Sequence, residues 1–134
     1  MSLAKGIEVV LLRSFDAGQV LSLIEKHTVT GMFGAPTMFL MMLQHENFAS
    51  TDLSSIATLT CGGAPVPVPL IKAFGERGIS FCQGYGLTET APFASLLTSD
   101  LAMAKVGSAG KAPMFTEVRI VDEENNPVAA GVHG

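Results

Sequence analysis

Residues 58–83 read TLTCGGAPVPVPLIKAFGERGISFCQ, and this stretch decides the fold. Its two ends, residues 58–61 and 79–83, are short apolar runs bounded by turn residues, which predicts two strands. Residues 67–76 between them predict a helix that ends near a glycine. Because a helix joins the two strands, they are expected to lie parallel, connected by a right-handed crossover.

The same alternation of strand and helix extends upstream. Runs at 8–12 and 29–33 predict strands, and residues 37–45 predict a helix after the second run. Asp16, with Gln19 three residues later, resembles a capping box, so a helix is expected to begin there. Its apolar positions recur at helical spacing and predict one buried face, made of Ala17, Val20, Leu21 and Ile24. The predicted fold class is therefore α/β, a mostly parallel sheet flanked by helices.

Residues 84–112 break this alternation. They are glycine-rich and weakly periodic, which predicts a loop-dominated region with a short helix at 99–105. Residues 117–122 then alternate polar and apolar side chains, and a turn after them leads to Val128. This pattern predicts a C-terminal β-hairpin.

Composition excludes several classes of protein. The chain has 134 residues and a net charge of −4, with eight basic and twelve acidic residues scattered along it, so nucleic acid is not an expected partner. The longest apolar stretch, 29–43, is interrupted by glycines and a proline and is shorter than the roughly 18 apolar residues of a membrane span. Cys61 and Cys82 lack metal-binding spacing and are predicted to be buried, reduced thiols of a cytoplasmic protein.

Three turns directly follow predicted strands, at residues 34–36, 62–65 and 84–86. In an open parallel sheet the carboxyl ends of the strands meet at one edge, and ligands bind in the crevice beyond that edge. The small residues in these turns allow backbone N–H groups and a flat ligand to approach closely. The alternative is that each glycine only permits a tight turn.

The third turn belongs to an octet, QGYGLTET at residues 83–90. It contains the only tyrosine of the chain, two threonine hydroxyls and a carboxylate, a set that can stack on a planar base, bond a phosphate and hold a divalent cation. Glu89 would repel a phosphate, so its natural role beside one is as an oxygen ligand to Mg²⁺. The structural alternatives are that Glu89 caps the following segment and that Tyr85 is a packing aromatic.

With these residues in view, the sequence resembles the adenylate-forming acyl-CoA synthetase superfamily, and most closely its bacterial fatty-acid–CoA ligases. Residues 83–90 contain the family's Y-G-x-T-E core motif, and residues 62–65 match its upstream nucleotide loop. Residues 15–42 match the preceding β-α-β-α stretch, and 107–122 match the run into a small β-rich subdomain. The resemblance covers essentially the whole chain after its first residues.

The resemblance implies an enzyme that uses ATP to convert a small carboxylic acid, a fatty acid, into an acyl-adenylate and then into a thioester of coenzyme A. It implies a nucleotide site formed by Gly63, Ala64, Pro65, Gln83, Gly84, Tyr85 and Thr88, with the Tyr85 ring on the base. Thr88 and Glu89 would be the catalytic residues, Thr88 at the phosphate and Glu89 as the ligand of Mg²⁺. Acyl-binding positions would be Gly34, Ala35 and Gly86.

The family's phosphate loop would precede residue 4, and its ribose-binding aspartate and adenylation lysine would follow residue 134. The three turns also contain no Lys or Arg to balance a triphosphate. We therefore expect an internal fragment that does not catalyse adenylation alone. Its predicted parts are an expression leader at 1–3, an α/β nucleotide- and acyl-binding subdomain at 4–112 and the start of a β-rich subdomain at 113–134.

Two alternatives stay open at this point. An aryl-acid–CoA ligase or a peptide-synthetase adenylation domain would share the same motifs, because the shape of the acid pocket sets acid selectivity. A non-enzymatic α/β binding module would instead be complete as it stands. A fragment is expected to expose apolar patches and a free sheet edge and so to self-associate, whereas a module is not.

Overall fold

A computed structural model describes residues 5–134; the predicted leader at 1–3 lies outside them. The described chain contains a four-stranded sheet with three helices packed against one of its faces. In chain order the elements are α1 (Ala17–His27), β1 (Gly31–Gly34), α2 (Pro36–Gln44), β2 (Thr58–Gly62), α3 (Val68–Gly75), β3 (Phe81–Tyr85), a 3₁₀ turn (Thr88–Thr90) and β4 (Ser95–Leu97).

The strands lie in the order β1-β2-β3-β4. The first three are parallel, and β4 pairs antiparallel with β3. Helices α2 and α3 make the two crossovers between the parallel strands. The predicted α/β class with a mostly parallel sheet is confirmed.

The helices begin within one residue of where the sequence predicts. The Asp16 carboxylate accepts the Gln19 backbone N–H at 2.7 Å and caps α1, and the four predicted stripe residues of α1 are all buried. Pro36 occupies the first turn of α2, where its missing N–H would have had no helical partner. Both helices therefore begin with residues that satisfy or remove unpaired backbone donors.

The core lies between the sheet and the helices. Side chains alternate along each strand, so Leu59, Cys61 and Phe81 face the helices and are buried. The Phe81 ring meets those of Phe39 and Phe74 edge to face, each at a centroid distance of 5.1 Å. No described element covers the opposite face, where Phe33 is 62% exposed.

The predicted strand at 8–12 is wrong. Among residues 5–134 no strand pairs with this run, and most of its side chains are exposed. A strand needs a hydrogen-bonding neighbour, so β-branched composition alone does not produce one.

The predicted helix at 99–105 is also wrong: the segment forms successive turns. Its one bond of α-helical spacing runs from the Lys105 N–H to the Leu101 carbonyl, at 2.8 Å. A single such bond does not offset the cost of fixing the backbone of a helical turn.

The C-terminal reversal is present, but as one antiparallel bridge between Val121 and Pro127 rather than two paired strands. The Asp122 carboxylate holds the turn by accepting the Asn126 N–H at 2.8 Å. Pro127 has no N–H to donate, which limits the ladder. The boundary at residue 113, between the α/β subdomain and the β-rich subdomain, stays a prediction.

Strand β4 lies in the region predicted to be loop. It has only three residues, too few to show a period in the sequence. Its outer edge is partly covered, because Leu96 and Lys111 exchange two backbone hydrogen bonds of 2.8 and 3.1 Å.

Both cysteines are free, as predicted, but only Cys61 is buried; Cys82 is half-buried. Cys61 faces the helices, and burial raises the pKa of its thiol to about 11. Cys82, on the neighbouring strand β3, pairs with Thr60, the residue before Cys61. Because side chains alternate along a strand, Cys82 faces the other side of the sheet. None of the helices described is long and apolar enough to cross a bilayer.

Candidate active site

The carboxyl ends of the three parallel strands meet at one edge of the sheet. Gly34 pairs in register with Cys61, and Cys61 pairs with Gln83, so the three strand ends lie level. The turns that follow them, together with the octet, form what we call the rim: residues 34–36, 62–65 and 83–90. The predicted convergence of the three turns is confirmed.

The turn after β2 presents backbone to solvent. Gly63 has a φ of +85°, a left-handed conformation that favours glycine, and a Cβ there would meet nothing within 4 Å. Ala64 and Pro65 are exposed, while Val66 after them is buried and anchors the turn. The glycine is therefore needed for the path of the chain and not for close packing.

Gly62 and Gly84 pair on neighbouring strands and face the uncovered side of the sheet. A Cβ on Gly84 would collide with the Phe93 ring, and a Cβ on Gly62 would lie 3.3 Å from the Phe33 ring. The two glycines thus form a floor on which two phenylalanine rings lie. Sequence reasoning missed both rings; the only available signal was the placement of Phe33 between the glycines of the predicted strand at 29–33 and the turn after it.

Tyr85 is the last residue of β3, so strand β3 continues two residues past its predicted end. The predicted turn at 84–86 is corrected accordingly: Gly84 and Tyr85 pair with β4, and the chain leaves the sheet only at Gly86. The Tyr85 side chain is 54% exposed, which argues against a purely packing role. Its ring is accessible to a planar ligand.

Thr88 and Glu89 lie in the 3₁₀ turn directly after this strand, and both are exposed. Within residues 5–134 the Glu89 carboxylate makes no hydrogen bond or ion pair, so nothing supports a capping role for it. No group of three or more potential metal ligands occurs in the described chain. A single free carboxylate suits Mg²⁺, which is held by one or two carboxylates together with substrate phosphates.

Gln83 is the first residue of the rim segment 83–90; it still lies within β3, paired with Cys61, and its side chain is buried. Its Nε2 is enclosed and has no hydrogen-bond partner in the described part of the chain. A contact between this Nε2 and a nucleotide therefore requires the carboxamide to turn outward.

The predicted acyl-binding positions have packing reasons of their own. A Cβ on Gly34 would lie 3.2 Å from the Phe39 ring, and a Cβ on Gly86 would collide with the Pro92 carbonyl. Ala35 precedes α2 as its N-cap residue and is half-buried. Gly34 and Ala35 lie at the end of β1, and Gly86 lies beyond the end of β3, two strands away.

Comparison with known proteins identifies the family to which these motifs belong. A family model described as AMP-binding enzyme matches residues 1–134. The chain belongs to this family. Its relatives place it in the adenylate-forming acyl-CoA synthetase superfamily, as the resemblance of the octet predicts.

A feruloyl-CoA synthase from Amycolatopsis is 45% identical over 133 residues, which is 99% of this chain and 27% of the relative. A long-chain-fatty-acid–CoA ligase from Mycobacterium tuberculosis is 38% identical over 119 residues, covering 89% of this chain and 24% of the relative. The chain thus spans about a quarter of the length of these relatives.

A solved structure shows the same fold. The O-succinylbenzoate coenzyme A synthetase from Bacillus subtilis, in complex with ATP and a magnesium ion, superposes with a TM-score of 0.88 at 33% identity. The match covers 99% of this chain and 27% of the synthetase chain.

Proposed function

We propose that this chain is the nucleotide- and acyl-binding part of an ATP-dependent acid–CoA ligase. A substrate carboxylate oxygen attacks the α-phosphorus of ATP, and pyrophosphate leaves. The thiol sulfur of coenzyme A then attacks the acyl carbonyl carbon, its proton is lost, and AMP leaves. The observation that carries the proposal is the convergence of residues 62–65 and 83–90 on one rim, with an exposed tyrosine and a free carboxylate.

We assign the adenine base to residues 62–65 and to Tyr85 at the end of β3. Exposed Gly63, Ala64 and Pro65 provide a flat border for adenine, and the half-exposed Tyr85 ring stacks on the base. Gly84 lets the nucleotide approach the backbone, and Gln83 contacts it once its enclosed Nε2 turns outward.

We assign binding of the ATP phosphates to Thr88 and, through Mg²⁺, to Glu89. The Thr88 hydroxyl makes no hydrogen bond within the described chain, so it is free to donate to a phosphate oxygen. The unpaired Glu89 carboxylate is the ligand for Mg²⁺, which when bound neutralises phosphate charge during the displacement. The rim carries no Lys or Arg, so we propose that the isolated chain does not catalyse adenylation.

The proposed acid substrate is a fatty acid bound near Gly34, Ala35 and Gly86; one relative is a long-chain-fatty-acid–CoA ligase. An aromatic acid is the second candidate. Two observations favour it: the Phe33 and Phe93 rings lie over the glycine floor, and the feruloyl-CoA synthase is the more similar of the two relatives. A panel of fatty and aromatic acids, compared by kcat/KM on the full-length enzyme, decides between them.

The test of the adenylation role is Glu89→Gln in the full-length enzyme. Removing the charge should lower acid-dependent pyrophosphate release by about 100-fold or more, the loss typical of a group that stabilises transition-state charge. Glu123→Gln, in the exposed C-terminal turn, is the matched control and should keep the wild-type rate. Wild-type release by the Glu89→Gln enzyme would refute the assignment.

We also propose that the chain alone self-associates. Strand β1 is a free edge of the sheet within residues 5–134, and several large apolar side chains of these residues are exposed, among them Leu11, Phe33 and Phe115. Light scattering should show dimers or larger species, and a hydrophobic dye should bind. A clean monomer with no dye uptake would favour the binding-module alternative instead.

A further inference from the structure

The hydroxyl of Thr90 is the internal anchor of the loop that carries Glu89. Residues 86–93, which we call the Glu89 loop, leave β3 and return towards β4. Thr90 Oγ1 accepts the Leu87 backbone N–H at 2.8 Å and lies 3.0 Å from the Leu87 carbonyl and 2.9 Å from the Pro92 carbonyl. One side chain therefore links the beginning, middle and end of the loop.

The loop is also closed at its base. The Ala94 N–H donates to the Tyr85 carbonyl at 2.9 Å, and Gly86 packs directly against the backbone of Pro92. Ala91 takes a left-handed φ of +52°, which turns the chain back towards the sheet. Two backbone hydrogen bonds also hold the 88–90 turn, from the Thr90 N–H to the Leu87 carbonyl at 3.1 Å and from the Ala91 N–H to the Thr88 carbonyl at 3.3 Å. The Thr90 hydroxyl is the side-chain group that adds to them.

The side chains of the 88–90 turn have two different roles: Thr90 holds the turn, and Thr88 and Glu89 point to solvent. Leu87 precedes the 3₁₀ turn but has no side-chain acceptor, so Thr90, three residues later, satisfies the Leu87 N–H in the manner of half a capping box. Thr88 and Glu89 make no side-chain hydrogen bond within the described residues and remain directed to solvent. One hydroxyl builds the turn while the adjacent polar groups stay free.

We propose that Thr90 is a positioning residue for Glu89. It acts by fixing the 88–90 turn so that the Glu89 carboxylate is already oriented when Mg²⁺ and ATP arrive. This inference rests on the proposed function of Glu89 as a metal ligand. Orienting a reacting group in advance accounts for large rate factors, and a displacement of about 1 Å can cost roughly 100-fold.

The experiment compares Thr90→Val, Thr90→Ser and Thr98→Val in the full-length enzyme. Valine keeps the shape of threonine but removes the hydroxyl, serine keeps the hydroxyl, and Thr98 is an exposed threonine whose hydroxyl makes no hydrogen bond in the described chain. Thr90→Ala is the second variant that removes the hydroxyl, in case valine prevents folding. Acid-dependent pyrophosphate release gives kcat and the KM of the acid.

A titration of the enzyme–ATP complex with Mn²⁺, followed by electron paramagnetic resonance, measures metal binding without turnover. Thr90→Val should lower kcat by about 10- to 100-fold and weaken Mn²⁺ binding, with little change in the KM of the acid. Saturating metal should recover part of the lost rate. Thr90→Ser and Thr98→Val should behave like wild type.

Normal Mn²⁺ affinity in both variants that lack the hydroxyl would overturn the inference, and so would failure of serine to restore it. The Glu89→Gln enzyme distinguishes a failure of the Thr90 inference from a failure of the proposed metal-binding role of Glu89. If Glu89→Gln is defective while Thr90→Val is normal, only the role of Thr90 is refuted. If the Glu89→Gln enzyme is itself normal, the assignment of Glu89 as the Mg²⁺ ligand is refuted, and the Thr90 inference that rests on it is refuted too.

Discussion

The core beneath the sheet and the rim at its strand ends are built from opposite kinds of side chain. The core places large rings such as Phe39, Phe74 and Phe81 where no solvent reaches them. The rim places mostly small or polar residues where a ligand can reach the backbone, and its two large side chains, Tyr85 and Leu87, are half-exposed. We therefore expect that substitution of a buried core ring and substitution of an exposed rim carboxylate have separate effects, the first on stability and the second on chemistry.

The largest effect on stability is expected from Phe74→Ala. The Phe74 ring contacts Phe39, Phe48 and Phe81 at centroid distances of 5.1 to 6.0 Å, so its removal leaves a cavity between three aromatic neighbours. Urea unfolding of the chain should show a loss of about 3–5 kcal/mol. Phe115→Ala is the control, because that ring is fully exposed, and its loss should leave the free energy of unfolding nearly unchanged.

A smaller effect is expected from Arg77→Ala. The guanidinium donates to the carbonyls of Phe48 and Thr51 at 2.7 and 2.8 Å and lies 5.3 Å from the centre of the Phe48 ring. Urea unfolding should show a loss of about 1–3 kcal/mol, since the two carbonyls lose charged donors. Arg77→Lys should recover only part of it, because an ammonium group cannot reproduce the planar fork. A lysine variant as stable as wild type would show that charge alone matters here.

The smallest effect on stability is expected at the rim. Glu89→Gln removes an exposed carboxylate that makes no hydrogen bond or ion pair in the described chain, so the free energy of unfolding should change by less than about 0.5 kcal/mol. The same substitution is expected to have the largest effect on pyrophosphate release. A large loss of stability in this variant would mean that core and rim are not separable.

Much of the helix-and-sheet layer was predictable from sequence, because its patterns are local. The cap at Asp16, the buried stripe of α1 and the proline at the start of α2 each act through neighbours within a few residues. The convergence of the glycine turns also followed, since parallel strands place their carboxyl ends on one edge. In contrast, the prediction of a strand at 8–12 was wrong, because strand formation depends on a partner that local composition does not specify.

The finer structure of the rim could not be predicted, because it depends on contacts across the fold. The pairing of β4 with β3, the ring of Phe93 over Gly84 and the bonds of Thr90 to both ends of its loop join residues whose spacing carries no periodic signal. The enclosed position of the Gln83 carboxamide follows from strand alternation, but only once the helix-covered face is known.

Photolabelling of the full-length enzyme with azido-ATP, followed by mapping of the modified peptides, tests most directly whether the rim holds the nucleotide. The azide sits on the adenine ring, so the label marks the residues that border the base. Our account predicts labelling within 62–65 and at Tyr85, suppressed by excess ATP. Labelling that excess ATP suppresses equally well, but that falls entirely outside the rim, would contradict it.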